Sequence, residues 1–93
     1  MTEEYKQKLK EKSEILKAIG HPIRLCLVKR LSEHKELNVT YFTNCMDASQ
    51  SSISQHLSKL KSMGIIDSRK DGQLVMYFLK SEEVRKIIGV LFK

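Results

Sequence analysis

A mainly α fold carrying one β-hairpin is what this 93-residue sequence predicts. Three observations predict it. Apolar residues recur near the helical period over four stretches before Gly64 and again after Ser81. Between Ile65 and Leu79 the period drops to 2. The dipeptide Asp71-Gly72, suited to a tight type I′ turn, separates two runs rich in Ile, Val, Tyr and Phe. The expected order is helix, helix, helix, helix, hairpin, helix, and a chain of this length suits one domain over residues 1–93.

Each element has its own signal. Thr2 followed by Glu3 and Glu4 marks a helix start, and Tyr5, Leu9, Leu16 and Ile19 lie near one face of a helix that ends at Gly20. Pro22 opens a second helix, where its fixed φ and missing N–H are harmless, and Leu25, Val28 and Leu31 follow at helical spacing. A short third helix is expected from Val39 to about Met46, with Val39, Phe42 and Met46 inward, closed by Asp47-Ala48-Ser49. Ser49 caps the fourth helix, in which Ile53, Leu57 and Leu60 form the apolar stripe, and Gly64 ends it. The hairpin strands are expected at Ile65 to Arg69 and Gln73 to Leu79. Ser81, then Glu82 and Glu83, starts the last helix, whose stripe is Val84, Ile87, Ile88 and Leu91.

Composition narrows the function classes. A formal charge of +6 and a pI near 9.4 favour a polyanionic partner. No apolar run approaches the roughly 18 residues a membrane helix needs, and the start, MTEEYKQKLKEK, is too charged for a signal peptide, so a cytoplasmic protein without membrane association is expected. Two cysteines without CxxC spacing fit a reducing compartment. There is no internal repeat, no Gly-rich phosphate loop and no nucleophile with a His/Asp pairing, which argues against an enzyme.

The stretch SQSSISQHLSKLKSMG, Ser49 to Gly64, points to a partner more directly. Opposite its apolar stripe lie Ser51, Gln55, Ser58 and Ser62, flanked by Ser52, Ser54 and Lys59, and no Asp or Glu occurs from Ala48 to Ile66. Short hydroxyls and the amides of Gln50 and Gln55 can bond phosphates and base edges. A merely solvated helix more often carries Glu, Lys or Ala there, because Ser is a mediocre helix former. The hairpin tip, Arg69-Lys70-Asp71-Gly72-Gln73, adds two cations and an amide.

Taken together, LKAIGHPIRLCLVKRL at Leu16 to Leu31, SQSSISQHLSKLKSMGII at Ser49 to Ile66 and SRKDGQLVMYFL at Ser68 to Leu79 resemble the winged helix-turn-helix repressors of the ArsR/SmtB family. The resemblance implies a homodimeric transcriptional repressor on a palindromic double-stranded DNA operator. Val39 to Met46 becomes the positioning helix, with Thr40, Tyr41 and Thr43 at phosphates. Ser49 to Met63 becomes the recognition helix, with Gln50, Ser51, Ser52, Ser54, Gln55, His56 and Lys59 as contacts. Arg69, Lys70 and Gln73 form the wing's contribution. The first and last helices build the dimer, through Tyr5, Leu9 and Leu16 at one end and Val84, Ile87, Ile88 and Leu91 at the other. Two such stripes are more than a small core can hide, which agrees with a symmetric interface.

The family's usual sensors are not legible. Where an ELCVCDL-like segment would hold a thiolate pair, this chain reads Glu36-Leu37-Asn38-Val39-Thr40-Tyr41-Phe42, with Asn38 and Thr40 at the cysteine positions. No histidine follows His56, so a site on the last helix lacks its ligand; no metal or other cofactor is expected. His21 reads as a helix-start residue, His34 as a solvated turn residue and His56 as a residue at the border of the recognition helix. Cys26 and Cys45 are candidates for a redox switch, against a plain structural role for Cys26 among Leu25, Leu27 and Val28. Control by protein amount or by a regulatory protein partner follows. The alternative function is a winged-helix module that docks a protein without binding DNA. The charge map gives it weight: 9 basic and 5 acidic residues through Lys35, but 8 and 6 from Glu36 on. RNA binding finds little support among so few aromatics.

Overall fold

Four side chains set where the helices begin. Thr2, His21, Ser49 and Ser81 each accept a hydrogen bond, at 3.1 Å in every case, from a backbone N–H two or three residues further on. The computed structural model describes residues 1–42 and 47–93. It contains helices α1 (Glu3–Ile19), α2 (Pro22–Glu33), α3 (Gln50–Ser62) and α4 (Glu82–Leu91), and strands β1 (Leu37–Asn38), β2 (Ile66–Asp71) and β3 (Leu74–Leu79). The predicted mixture of helices and one hairpin is present, with three differences.

The first lies at the expected third helix. Its described part is a 3-10 turn, Val39–Phe42, while Thr43, Cys45 and Met46 fall outside the described residues. Val39, Thr40, Tyr41 and Phe42 are β-branched or aromatic, types that lose side-chain freedom in an α-helix. Asn38 Oδ1 accepts from the Thr40 N–H at 3.1 Å and from its hydroxyl, a local bond that competes with helical pairing. Asp47, two residues before the α3 N-cap, adopts a left-handed φ of 55°. The second difference is β1 itself, which the sequence reading omits. It pairs antiparallel with β3, Leu37 opposite Tyr77 and Asn38 opposite Met76, so the sheet has the order β1-β3-β2.

The hairpin turn is displaced by one residue from its expected place. Asp71 pairs with Leu74, so the two-residue loop is Gly72-Gln73. Positive φ occurs at Gly72, 64°, and not at Gln73, the φ pattern of a type II′ turn, which needs glycine only in its first central position. Gly64, φ 75°, similarly provides the left-handed residue that ends α3.

The core is formed where α2, α3 and α4 meet the sheet. Leu27, Val28 and Leu31 of α2, Ile53, Leu57 and Leu60 of α3, Phe42, Ile65, Ile66 and Leu79 are all buried. Val84 and Ile88 of α4 join them at 0% and 2% exposure. That corrects their expected place at a dimer interface: they have no surface left to offer, and Ile87 is itself half-buried against the core. An amphipathic stripe dictates that a face is buried, and here the chain's own core buries it. α1 behaves differently. Only Ala18 and Ile19 are buried, Ile15 is half-buried against the core and Lys12 Nζ donates to Glu83 of α4 at 2.8 Å, while most of the other residues of this 17-residue helix are exposed, in a molecule 48 × 28 × 22 Å in extent. Tyr5, Leu9, Leu16 and Leu91 are 52%, 46%, 56% and 59% exposed.

Candidate nucleic-acid interface

α3 is the centre of the candidate site, and the same sequence period that buries one side presents the other. Ile53, Leu57 and Leu60 are wholly buried, which fixes the rotation of the helix about its axis. Gln50, Ser51, Ser54, Gln55 and Lys59 are then exposed, while Ser52 is half-buried. Among the described residues the side chains of Gln50, Ser51, Ser54 and Gln55 make no hydrogen bond, and Lys59 makes no ion pair. Their donors and acceptors are therefore uncommitted. Thr40 and Tyr41 are exposed on the preceding turn; Thr43 falls outside the described residues.

The structure brings together two histidines that the sequence keeps 35 positions apart. His56 is half-buried, its ring centroid 4.5 Å from that of His21, and its Nδ1 lies 3.4 Å from Arg24 Nη1. A guanidinium only donates, so Nδ1 must accept. Desolvation, then the nearby positive charge of His21 and Arg24, lowers the His56 pKa from its ordinary 6.5. Arg24 also donates from Nε to the Ala18 carbonyl. His56 thus ties α3 to the start of α2, a role different from the base or phosphate contact expected of it. His21, as expected, starts α2, and His34 is an exposed residue at the end of that helix.

The wing divides its cations between two faces. Ser68 lies opposite Tyr77 and Lys70 opposite Val75, so Ser68 and Lys70 share the face turned toward α3. Ser68 Oγ accepts from Lys61 Nζ of α3 at 2.7 Å, which marks that side. Lys70 and Gln73 are exposed, and Lys70 has no ion-pair partner among the described residues. Arg69, opposite Met76, points the other way. Its Nε donates to Glu36 Oε2 at 2.9 Å and its Nη2 to Glu36 Oε1, a bidentate pair. That hydrogen bond holds the Glu36 carboxyl below its ordinary pKa and raises that of Arg69. Arg69 was expected at DNA; the structure engages it with an acid from the α2–β1 connection. Sequence spacing carries no signal for a pair 33 residues apart. Lys61, absent from the expected contacts, is placed by the α3 period and the wing together.

Cys26 is half-buried and packed against the core. It lines a groove of about 600 Å³ with Leu25, Lys29, His34 and Phe92. Cys45 falls outside the described residues. Among the described residues no three His, Cys, Asp or Glu side chains converge as metal ligands. No helix of the described residues is long and apolar enough to cross a membrane.

Residues 21–68, from the start of α2 through α3 into β2, match the model of the bacterial regulatory protein, arsR family. The chain belongs to the arsR family. Its relatives in that family are transcriptional regulators, not enzymes. The cadmium resistance transcriptional regulatory protein CadC of Listeria innocua serovar 6a is 40% identical over 83 residues, spanning 87% of this chain and 70% of CadC. The transcriptional repressor PagR of Bacillus anthracis is 35% identical over 83 residues, spanning 89% and 83%. The solved structure of reduced HlyU from Vibrio cholerae N16961 superposes with a TM-score of 0.87 at 33% identity, covering 97% of this chain and 94% of HlyU. A helix-turn-helix with a β wing is the fold that arsR-family regulators share with this chain.

Proposed function

We propose that this arsR-family regulator is a homodimeric repressor, one winged-helix domain over residues 1–93, that binds a palindromic operator in the cytoplasm. The observation that carries the reading is the outward face of α3. It is a row of uncommitted serine and glutamine groups without an acid, held at fixed rotation by Ile53, Leu57 and Leu60. α3 enters the major groove, where Gln55 and Gln50 read base edges while Ser51, Ser52, Ser54 and Lys59 meet phosphates or bases. Lys70 and Gln73 meet the adjacent backbone, and Thr40, Tyr41 and Thr43 add phosphate contacts. The exposed Tyr5, Leu9, Leu16 and Leu91 supply the dimer interface, joined by neighbouring Val90 and Phe92. Two copies place their α3 helices about 34 Å apart, one turn of duplex.

CadC's name ties that relative to cadmium resistance, but the thiolate-pair segment does not fit a soft metal here. Asn38 and Thr40 offer only hard oxygen donors, and they are bonded to each other. The repressor therefore acts without that metal sensor, set by its own amount or by a protein partner.

The test is binding of the purified protein to its own upstream DNA and to scrambled duplex at two salt concentrations, with and without Zn(II), Cd(II) and oxidant. Selective, salt-steep binding that ignores metal is expected. Gln55→Ala should relax sequence preference, and Lys70→Ala should weaken all duplexes alike and flatten the salt slope by about one unit per protomer. Release by oxidant would bring Cys26 and Cys45 into the mechanism. Indifference to both duplexes would favour the protein-docking function.

A further inference from the structure

We propose that Glu36 and Arg69 are positioning residues for DNA recognition, an ion pair laid across the sheet that fixes the wing against the connector carrying the Val39–Phe42 turn. The proposal rests on the DNA-binding reading and adds a part to it. The two residues belong to strands, or strand flanks, that are not neighbours: in the order β1-β3-β2, β3 runs between them. Arg69 and Asn38 both lie opposite Met76, so they share one face, and Glu36, two residues before Asn38, shares it too. The pair therefore spans β3 on the side away from the core.

Its place along the hairpin matters as much. β1 accompanies β3 only at Tyr77 and Met76. Beyond Met76 the wing is a two-stranded arm, Lys70 and Asp71 against Leu74 and Val75, and two-stranded ribbons twist and flex more freely than three. Arg69 stands at the last level where three strands exist. A clamp at the root of the arm controls where Lys70 and Gln73 lie relative to α3. On the same connector, Asn38 holds the start of the 3-10 turn through the Thr40 N–H at 3.1 Å. One ion pair thus references the wing to the turn that precedes the recognition helix.

Exposure argues for geometry over stability as the reason for the pair. The Arg69 and Glu36 side chains are 50% and 24% exposed, so water screens their attraction, and beyond what the bidentate geometry itself adds the pair contributes little to folding. The bidentate fork, by contrast, fixes both distance and orientation. This leads to a result of unusual sign. Removing the Glu36 charge makes the protein more cationic, which on charge alone tightens DNA binding. Loss of the clamp has the opposite effect: if the freed arm occupies its docking pose one tenth of the time, apparent affinity falls about 10-fold.

The experiment compares wild type, Glu36→Gln, Arg69→Gln and the swapped double variant Glu36→Arg/Arg69→Glu. Each is titrated with duplex from its own upstream region at several salt concentrations. Amide hydrogen exchange of Lys70 to Val75 is measured on the free proteins, whose melting temperatures establish that they fold. Both single variants should bind about 10-fold more weakly, with the salt slope unchanged and wing exchange accelerated, and the swap should restore both properties. Tighter binding by Glu36→Gln, with a flattened salt slope in Arg69→Gln, would make Arg69 a phosphate contact and overturn the proposal. So would wing exchange equal to wild type in both single variants. If wild type ignores every duplex, the DNA-binding reading falls, and the positioning role with it, while the exchange data still decide whether the pair holds the wing.

Discussion

Ser49 separates the stability of the recognition helix from its use. Its hydroxyl accepts from the Ser52 N–H at 3.1 Å and occupies the N-cap of α3, in an exposed position. Ser49→Ala removes the only capping acceptor this residue provides, at a cost of about 1 kcal/mol, while glycine at an N-cap costs only a few tenths. For a domain of this size about 1 kcal/mol lowers the melting temperature by roughly 5 °C, so the glycine variant should lose only about 1–2 °C. Ser49→Asp keeps the acceptor and adds a favourable charge at the helix N-terminus, so its melting temperature should equal or exceed wild type. Its DNA binding should nevertheless fall, because the added negative charge sits where α3 approaches phosphates. Thermal melts by circular dichroism and duplex titrations read the two properties independently. Equal melting of the alanine and aspartate variants would refute the capping argument. Wild-type affinity in the aspartate variant would refute the docking of this helix end.

Two further perturbations probe the faces of α3. Leu57→Ala empties a wholly buried site and should cost about 2–5 kcal/mol, visible as a melting temperature lowered by more than about 10 °C; Gln55→Ala, exposed two residues earlier, should melt within about 0.5 kcal/mol of wild type. Acid should weaken the α2–α3 contact through His56. With its folded pKa lowered, the unfolded chain holds more protons between that value and the ordinary 6.5, so stability is full above this window and declines as pH falls through it. Melts between pH 7.5 and 5.5 should show the decline in wild type and a flatter profile in His56→Gln, and parallel profiles would remove His56 from the contact.

The elements with long periods were legible because their period is itself the physical cause of their burial. Ile53, Leu57 and Leu60 define both the helix and its free face, and the capping residues Thr2, Ser49 and Ser81 mark the starts because helix ends leave N–H groups to satisfy. A two-residue strand has no period, so Leu37–Asn38 was invisible until β3 was in place beside it. The hairpin was legible but its turn shifted by one residue, since one glycine serves either a type I′ or a type II′ loop. The apolar stripe of α4 announced burial without naming the surface, and Val84 and Ile88 went to the protomer's own core. At the site, the free α3 face could be read from sequence. The engagements of Arg69 with Glu36 and of His56 with His21 and Arg24 could not, because each depends on how distant segments meet.

The strand order has a consequence for how the protein behaves at high concentration. β3, LVMYFL, is a six-residue run without a charge, the composition most prone to stack into intermolecular sheets. It lies in the middle of the sheet, and the outer strand β2, IDSRKD, carries four charged residues in six along the edge that a second molecule could approach. On its other side β3 is paired at Tyr77 and Met76, which leaves Leu74 and Val75 without a strand partner there among the described residues, beside the Val39–Phe42 turn. Self-association into fibrils would therefore begin at the tip of the arm, and a lysine in place of Val75 is the substitution that would close that route.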